Sequence, residues 1–86
     1  MNIKITIEVP TRENKIDIRV NQEQRMKTTL GVLNENRKGF IPLSNIETVR
    51  IKETGRQVDI RETYEEAGIY TGAILVVEEK GGEYGE

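Results

Sequence analysis

Apolar and polar side chains alternate from the start of the chain: Ile3, Ile5, Ile7 and Val9 interleave with Asn2, Lys4, Thr6 and Glu8. A period of two marks a β-strand with one buried face, so a first strand is expected over residues 2–9. Residues 10–14 combine Pro10 with polar residues and read as a turn, after which Ile16, Ile18 and Val20 alternate with Lys15, Asp17 and Arg19. These two strands make an antiparallel hairpin. Beyond Val20 the spacing becomes helical. Met26, Leu30 and Leu33 are four and three apart and share one face, with Arg25, Lys27, Asn34 and Glu35 around the rest, which predicts a helix over about residues 23–37. Asn21 and Gln24 have capping-box spacing, unless Gln24 lies inside the first turn behind a later cap. Arg37 and Lys38 suit the negative end of the helix dipole, and Gly39 can take the left-handed conformation that ends it. Gly31 costs about 1 kcal/mol relative to alanine in mid-helix and would mark close backbone packing.

Residues 40–46 contain Pro42 and show no clean period, so they are expected to connect, tucking Ile41 against the core. A third strand follows over residues 48–52, with Val49 and Ile51 inward and Arg50 and Lys52 outward. A turn at Gly55 leads into a shorter strand over 57–60. Residues 64–68 form a tight polar turn, and a last strand runs over 73–78. One helix can cover only one face of such a sheet, so the other must face solvent, and the first four strands alternate accordingly. The order is that of a two-layer α+β fold, with a mixed five-stranded sheet packed on one helix and the last strand inserted centrally. Residues 15–19 (KIDIR) and 57–61 (QVDIR) look alike, but five residues of ordinary amphipathic strand are read as convergence rather than as a repeat.

Composition narrows the chemistry. Eighty-six residues support one core, because a chain this short buries only roughly 60% of the surface its unfolded form exposes. There is no cysteine and no histidine, which removes disulfides, thiolate catalysis, the commonest general base and the commonest transition-metal ligand. Ser44, the sole serine, has no histidine to activate it. The pairs Glu65–Glu66 and Glu78–Glu79 are not set in a loop of converging oxygens, so no cofactor and no metal is expected. The chain is therefore read as non-enzymatic. Net charge is −2, but residues 78–86 hold four glutamates against one lysine, leaving the body at +1. With acids interleaved among Arg25, Lys27, Arg37 and Lys38, and only four aromatic residues, no nucleic-acid partner is expected. No apolar run approaches the roughly 20 residues of a membrane span, so the expectation is a cytoplasmic chain without membrane insertion.

Several features together resemble ubiquitin-like β-grasp proteins. They are Met1 leading into the first strand, Val20 before the helix, the exit at Gly39, Phe40, Ile41 and Pro42, the turn from Glu62 to Ile69, and the closing Leu75 and Val77. The correspondence covers nearly all of residues 1–79, which the resemblance makes the ubiquitin-like domain, with 80–86 as a flexible acidic, glycine-containing tail. The spacing of Val20, Met26 and Leu30, and the closing Ile69, Gly72, Leu75 and Val77, look most like the YukD-like family. These are small bacterial ubiquitin-like proteins associated with type VII (ESX-type) secretion that lack a conjugating C-terminus. The resemblance implies a protein-interaction domain, a cytoplasmic secretion accessory with secretion-system components among its partners, that is not conjugated to targets.

Two features could carry function. If Leu75 and Val77 face the helix, Ile74 and Val76 face the solvated side of the sheet, beside Lys4, Thr6, Arg50 and Lys52. These six residues are the candidate partner-binding face. The plainer reading is a central strand carrying scattered β-branched residues. Replacing Ile74 and Val76 together with lysine is expected to leave folding intact, and the pair would allow a monomer or a weak dimer. The second feature is Gly81–Gly82, close to where ubiquitin-like modifiers and sulphur carriers present a terminal diglycine. Here Glu83, Tyr84, Gly85 and Glu86 follow it, so the alternative function is a modifier or sulphur-carrier precursor activated by cleavage after Gly82.

Overall fold

The computed structural model describes residues 1–42, 44 and 46–78. The alternating N-terminal segments form β1 (Asn2–Val9) and β2 (Asn14–Asn21), paired antiparallel along their whole length from Asn2 opposite Asn21 to Val9 opposite Asn14. A single 3₁₀ turn, Pro10–Arg12, joins them, and Glu13 takes a left-handed conformation (φ 53°) to reverse the chain. The helix α1 (Met26–Asn36) is followed by β3 (Thr48–Ile51), β4 (Gln57–Asp59) and β5 (Ile74–Val76).

The strand order is β2-β1-β5-β3-β4. β5 lies parallel to β1 and antiparallel to β3, with Ile7 and Ile51 on either side of Leu75. The helix side of this mixed sheet is the core: Ile3, Ile5, Ile7, Val9, Val49, Ile51, Val58, Leu75 and Val77 meet Met26 and Leu30 of α1, sealed by Phe40, Ile41 and Ile46. The connecting segment thus tucks in Phe40 and Ile46 as well as Ile41. Among the described residues no helix is long and apolar enough to cross a membrane.

The helix begins three residues later than its periodicity predicts, and the reason is tertiary. The Asn21 carboxamide accepts a bond from the Glu23 N–H (2.9 Å), closing a local turn instead of capping a helix. The first helical N–H groups are satisfied by backbone instead: Met26 N donates to the Glu62 carbonyl (3.1 Å) and Lys27 N to that of Ile60 (2.8 Å). These are two of the donors a helix start leaves unpaired, so the 60–62 segment fixes where α1 begins. At the other end Gly39 is left-handed (φ 80°), as expected. The Asn34 carboxamide accepts bonds from the Gly39 and Ile41 N–H groups, turning the exit segment onto the core.

Gly31 marks no close approach. Apart from its chain neighbours and the adjoining helix backbone, no atom of the described residues lies within 4 Å of where a side chain on it would begin. Gly31→Ala should therefore stabilise the helix by about 0.5–1 kcal/mol through reduced unfolded-state freedom. The thermal midpoint is expected to rise by about 3–6 °C for a domain of this size. A fall would mean that the helix packs more tightly here.

Candidate functional site

The face of the sheet away from α1 is a grid set by strand register. Along β1, Lys4, Thr6 and Glu8 face outward, and on the edge strand Arg19, Asp17 and Lys15 lie opposite them. On the other side of β1, Ile74 is beside Thr6 and Val76 beside Glu8, while Arg50 of β3 lies across from Val76. Lys52 continues β3, its backbone N–H bonded to the Ile74 carbonyl (2.9 Å). The six candidate residues are thus contiguous across the three central strands.

They are not equally available. Lys4 and Lys52 are exposed, and Thr6, Arg50 and Ile74 are partly buried. Val76 is 3% exposed, although it lies outside the core cluster on the helix side. Ion pairs account for this. Lys52 Nζ reaches Glu8 (3.2 Å to Oε2), and since the two residues sit on strands flanking β5, the bridge crosses that strand. Arg50 meets Glu78 in a two-pronged contact, Nε to Oε1 at 3.4 Å and Nη2 to Oε2 at 3.2 Å. Such half-exposed pairs are each worth only about 0–1 kcal/mol, but their aliphatic stems shield the valine. The expectation that lysines at both Ile74 and Val76 would be tolerated is therefore corrected: Val76 is an interior residue of the outer face.

Among the described residues, two cations of this face have no opposing acid across the ladder. Lys4 and Arg19 face each other on β1 and β2, an arrangement that repels. Asp17 is the one acid between them and Lys15, and its Oδ1 accepts a short bond from the Thr6 hydroxyl (2.6 Å). Parity alone places Glu8, Asp17 and Arg19 on this face, and Glu78 follows by the same parity. Which cation each acid takes depends on strand order.

The second feature of chemical interest is Tyr64, in the turn after β4. Its backbone N–H bonds to the Gln24 carbonyl (3.2 Å), and that of Glu65 to Gln22 (2.9 Å), latching the turn beneath the start of α1. Thr63 and Glu66 cap each other reciprocally at 3.0 Å, so the Glu66 carboxylate is engaged in the turn. The Tyr64 side chain is fully buried and its hydroxyl has no hydrogen-bond partner among the described residues. Desolvation pushes its pKa up to about 12, opposed by the Thr29 hydroxyl, which would donate to the phenolate once the proton is lost. At the end of β4, Arg61 holds the Asp59 carboxyl down at about 2 through a side-chain hydrogen bond of 2.6 Å. Gly81 and Gly82, and with them the tail from residue 80, lie outside the described residues.

This architecture is a ubiquitin-like β-grasp. The C-terminal ubiquitin-like domain of mouse tubulin-specific chaperone e superposes with a TM-score of 0.70 over 99% of this chain and 93% of its own, at 14% identity. The UBL domain of Plasmodium falciparum Dsk2 matches at 0.70 over 93% and 100%, at 15% identity. Caldiarchaeum subterraneum ubiquitin matches at 0.69 over 93% and 95%, at 20% identity. No protein-family model matches the chain, and no curated protein matches its sequence.

Proposed function

We propose that this chain is a non-enzymatic ubiquitin-like interaction domain that engages a protein partner through the outward face of β1, β5 and β3. Residues 1–79 form the domain and residues 80–86 a tail that stays attached. The observation that supports this reading is the pairing of a half-buried apolar residue, Ile74, with two exposed cations, Lys52 next to it on β3 and Lys4 diagonal to it on β1. Because Val76 is covered, the contact is chiefly polar and suits a partner surface bearing carboxylates around one small apolar side chain. A partner carboxylate that draws Lys52 away from Glu8 also uncovers Val76, adding apolar area once contact is made. The resemblance to the YukD-like proteins directs the search for that partner to cytoplasmic components of a type VII secretion system.

The test is recovery of the partner from native cells through a photo-crosslinker at Ile74, followed by binding measurements with the purified pair. Ile74→Lys and Lys4→Glu should each weaken binding about 10-fold or more, while the circular dichroism spectrum stays unchanged. Equal binding by both variants would remove this face from the interaction. Absence of every secretion component among the crosslinked proteins would remove the secretion role alone. Mass analysis of the protein from its native host is expected to show no species cleaved after Gly82. A species ending at Gly82, free or attached to another protein, would instead make it a modifier.

A further inference from the structure

β2 ends the sheet, and its free edge is a second surface distinct from the face described above. In an antiparallel ladder, opposed residues alternate between exchanging hydrogen bonds and not doing so. The Gln22 N–H bonds to the Met1 carbonyl (2.8 Å), one step beyond the Asn2–Asn21 pair. By alternation Val20, Ile18 and Ile16 also direct their backbone groups to β1. Asn21, Arg19, Asp17 and Lys15 direct theirs to the open edge, where the Asn21 carbonyl already accepts from the Gln24 N–H (2.9 Å). An eight-residue strand with this many unpaired backbone groups is a template for another strand, and charged side chains normally guard such edges.

Here the charges select rather than merely repel. We infer that β2 pairs antiparallel with β2 of a second copy, centred on Ile18, joining two sheets into one across a two-fold axis. In that register Asp17 lies opposite Arg19 of the second copy, and Lys15 opposite Asn21, all four being residues whose backbone N–H groups face the open edge without a partner among the described residues. Each Arg19, repelled within its own chain by Lys4, gains a carboxylate beside it. The Thr6 hydroxyl occupies only Oδ1 of Asp17, leaving Oδ2 for that contact. On the helix side Ile18 meets its own copy and Ile16 meets Val20. Ile16 and Ile18 are only partly buried within one chain, so pairing completes their burial. Neighbouring registers are worse. Centring on Asp17 sets Asp17 against itself and Lys15 against Arg19, and centring on Arg19 sets Arg19 against itself. Centring on Ile16 runs the pairing into Glu13, whose left-handed backbone ends the strand.

One strand pair buries little area, so the dimer is weak and concentration-dependent. Sedimentation velocity of the full chain between about 10 μM and 1 mM is expected to show a monomer giving way to a dimer. Asp17→Arg and Arg19→Asp should each abolish the dimer by opposing like charges, and the double variant, which exchanges the two charges, should restore it. In the unmodified protein, amide exchange at Asp17, Arg19 and Asn21 should slow as concentration rises, while that at Ile16 and Ile18 stays unchanged. A monomer at every concentration overturns the inference. So does a dimer that survives both single reversals, that the double variant fails to restore, or whose protected amides lie elsewhere than β2.

Discussion

Leu75→Ala is expected to cost about 3–4 kcal/mol, a large share of the 5–15 kcal/mol by which domains of this kind are stable. Leu75 is 2% exposed in the central strand, between Ile7 and Ile51, and strands pair on both sides of it. The backbone therefore cannot move in to fill the space, and the lost transfer energy adds to that of a persistent cavity. Its two neighbours along β5 make the comparison specific. Val76→Lys places an ammonium beside Arg50 and beneath the Lys52–Glu8 bridge, and should cost about 2 kcal/mol through lost burial and like-charge contact. Ile74→Lys should change stability by no more than about 0.5 kcal/mol, because that side chain can reach solvent beside Thr6. Urea unfolding of the three variants measures all of this. If Ile74→Lys proved costly and Leu75→Ala mild, β5 would be registered one residue from the alignment described, since a one-residue slip exchanges the two faces.

Stability should also fall steeply in alkali because of Tyr64. Its phenol has an ordinary pKa near 10 in the unfolded chain and about 12 when buried. Below pH 10 both states hold the proton and stability is unaffected. Between pH 10 and 12 the unfolded chain releases it while the folded chain retains it, so each pH unit favours unfolding by up to about 1.4 kcal/mol. The loss amounts to roughly 2–3 kcal/mol and levels off above the folded pKa. The contrast with Tyr64→Phe isolates the tyrosine. That variant removes a buried hydroxyl without a partner among the described residues. It should be as stable as the parent or slightly more so at pH 7, and should show a shallower decline between pH 10 and 12. Identical alkaline limbs for the two proteins would mean that the hydroxyl reaches water or a partner in solution.

Much of this was legible in the chain. Alternation at Ile3 to Val9 and Ile16 to Val20 placed the hairpin and assigned the faces of its strands. The spacing of Met26, Leu30 and Leu33 placed the helix, and Gly39 its end. Both rest on side-chain periodicity, which backbone geometry translates directly into direction. The six residues of the candidate face could be gathered from strand parity once β5 was set between β1 and β3. Their accessibility could not be read in the same way. Val76 looks like an outward apolar residue along β5, yet Lys52 and Glu8, forty-four positions apart, close over it from strands on either side.

The sequence by itself determined the elements, their inward faces and the absence of cysteine and histidine, because these depend on residue identity and local spacing. The tertiary structure alone decided where α1 starts, how Val76 is covered, that Gly31 has room beside it, and that Tyr64 is buried without a partner. Each of these depends on groups distant in the chain: the carbonyls of Ile60 and Glu62 at the helix start, the ion pairs across β5, and the packing beneath Gln24. A pattern of hydrophobicity encodes which side a residue faces, whereas its accessibility and charge state depend on what the fold brings against it.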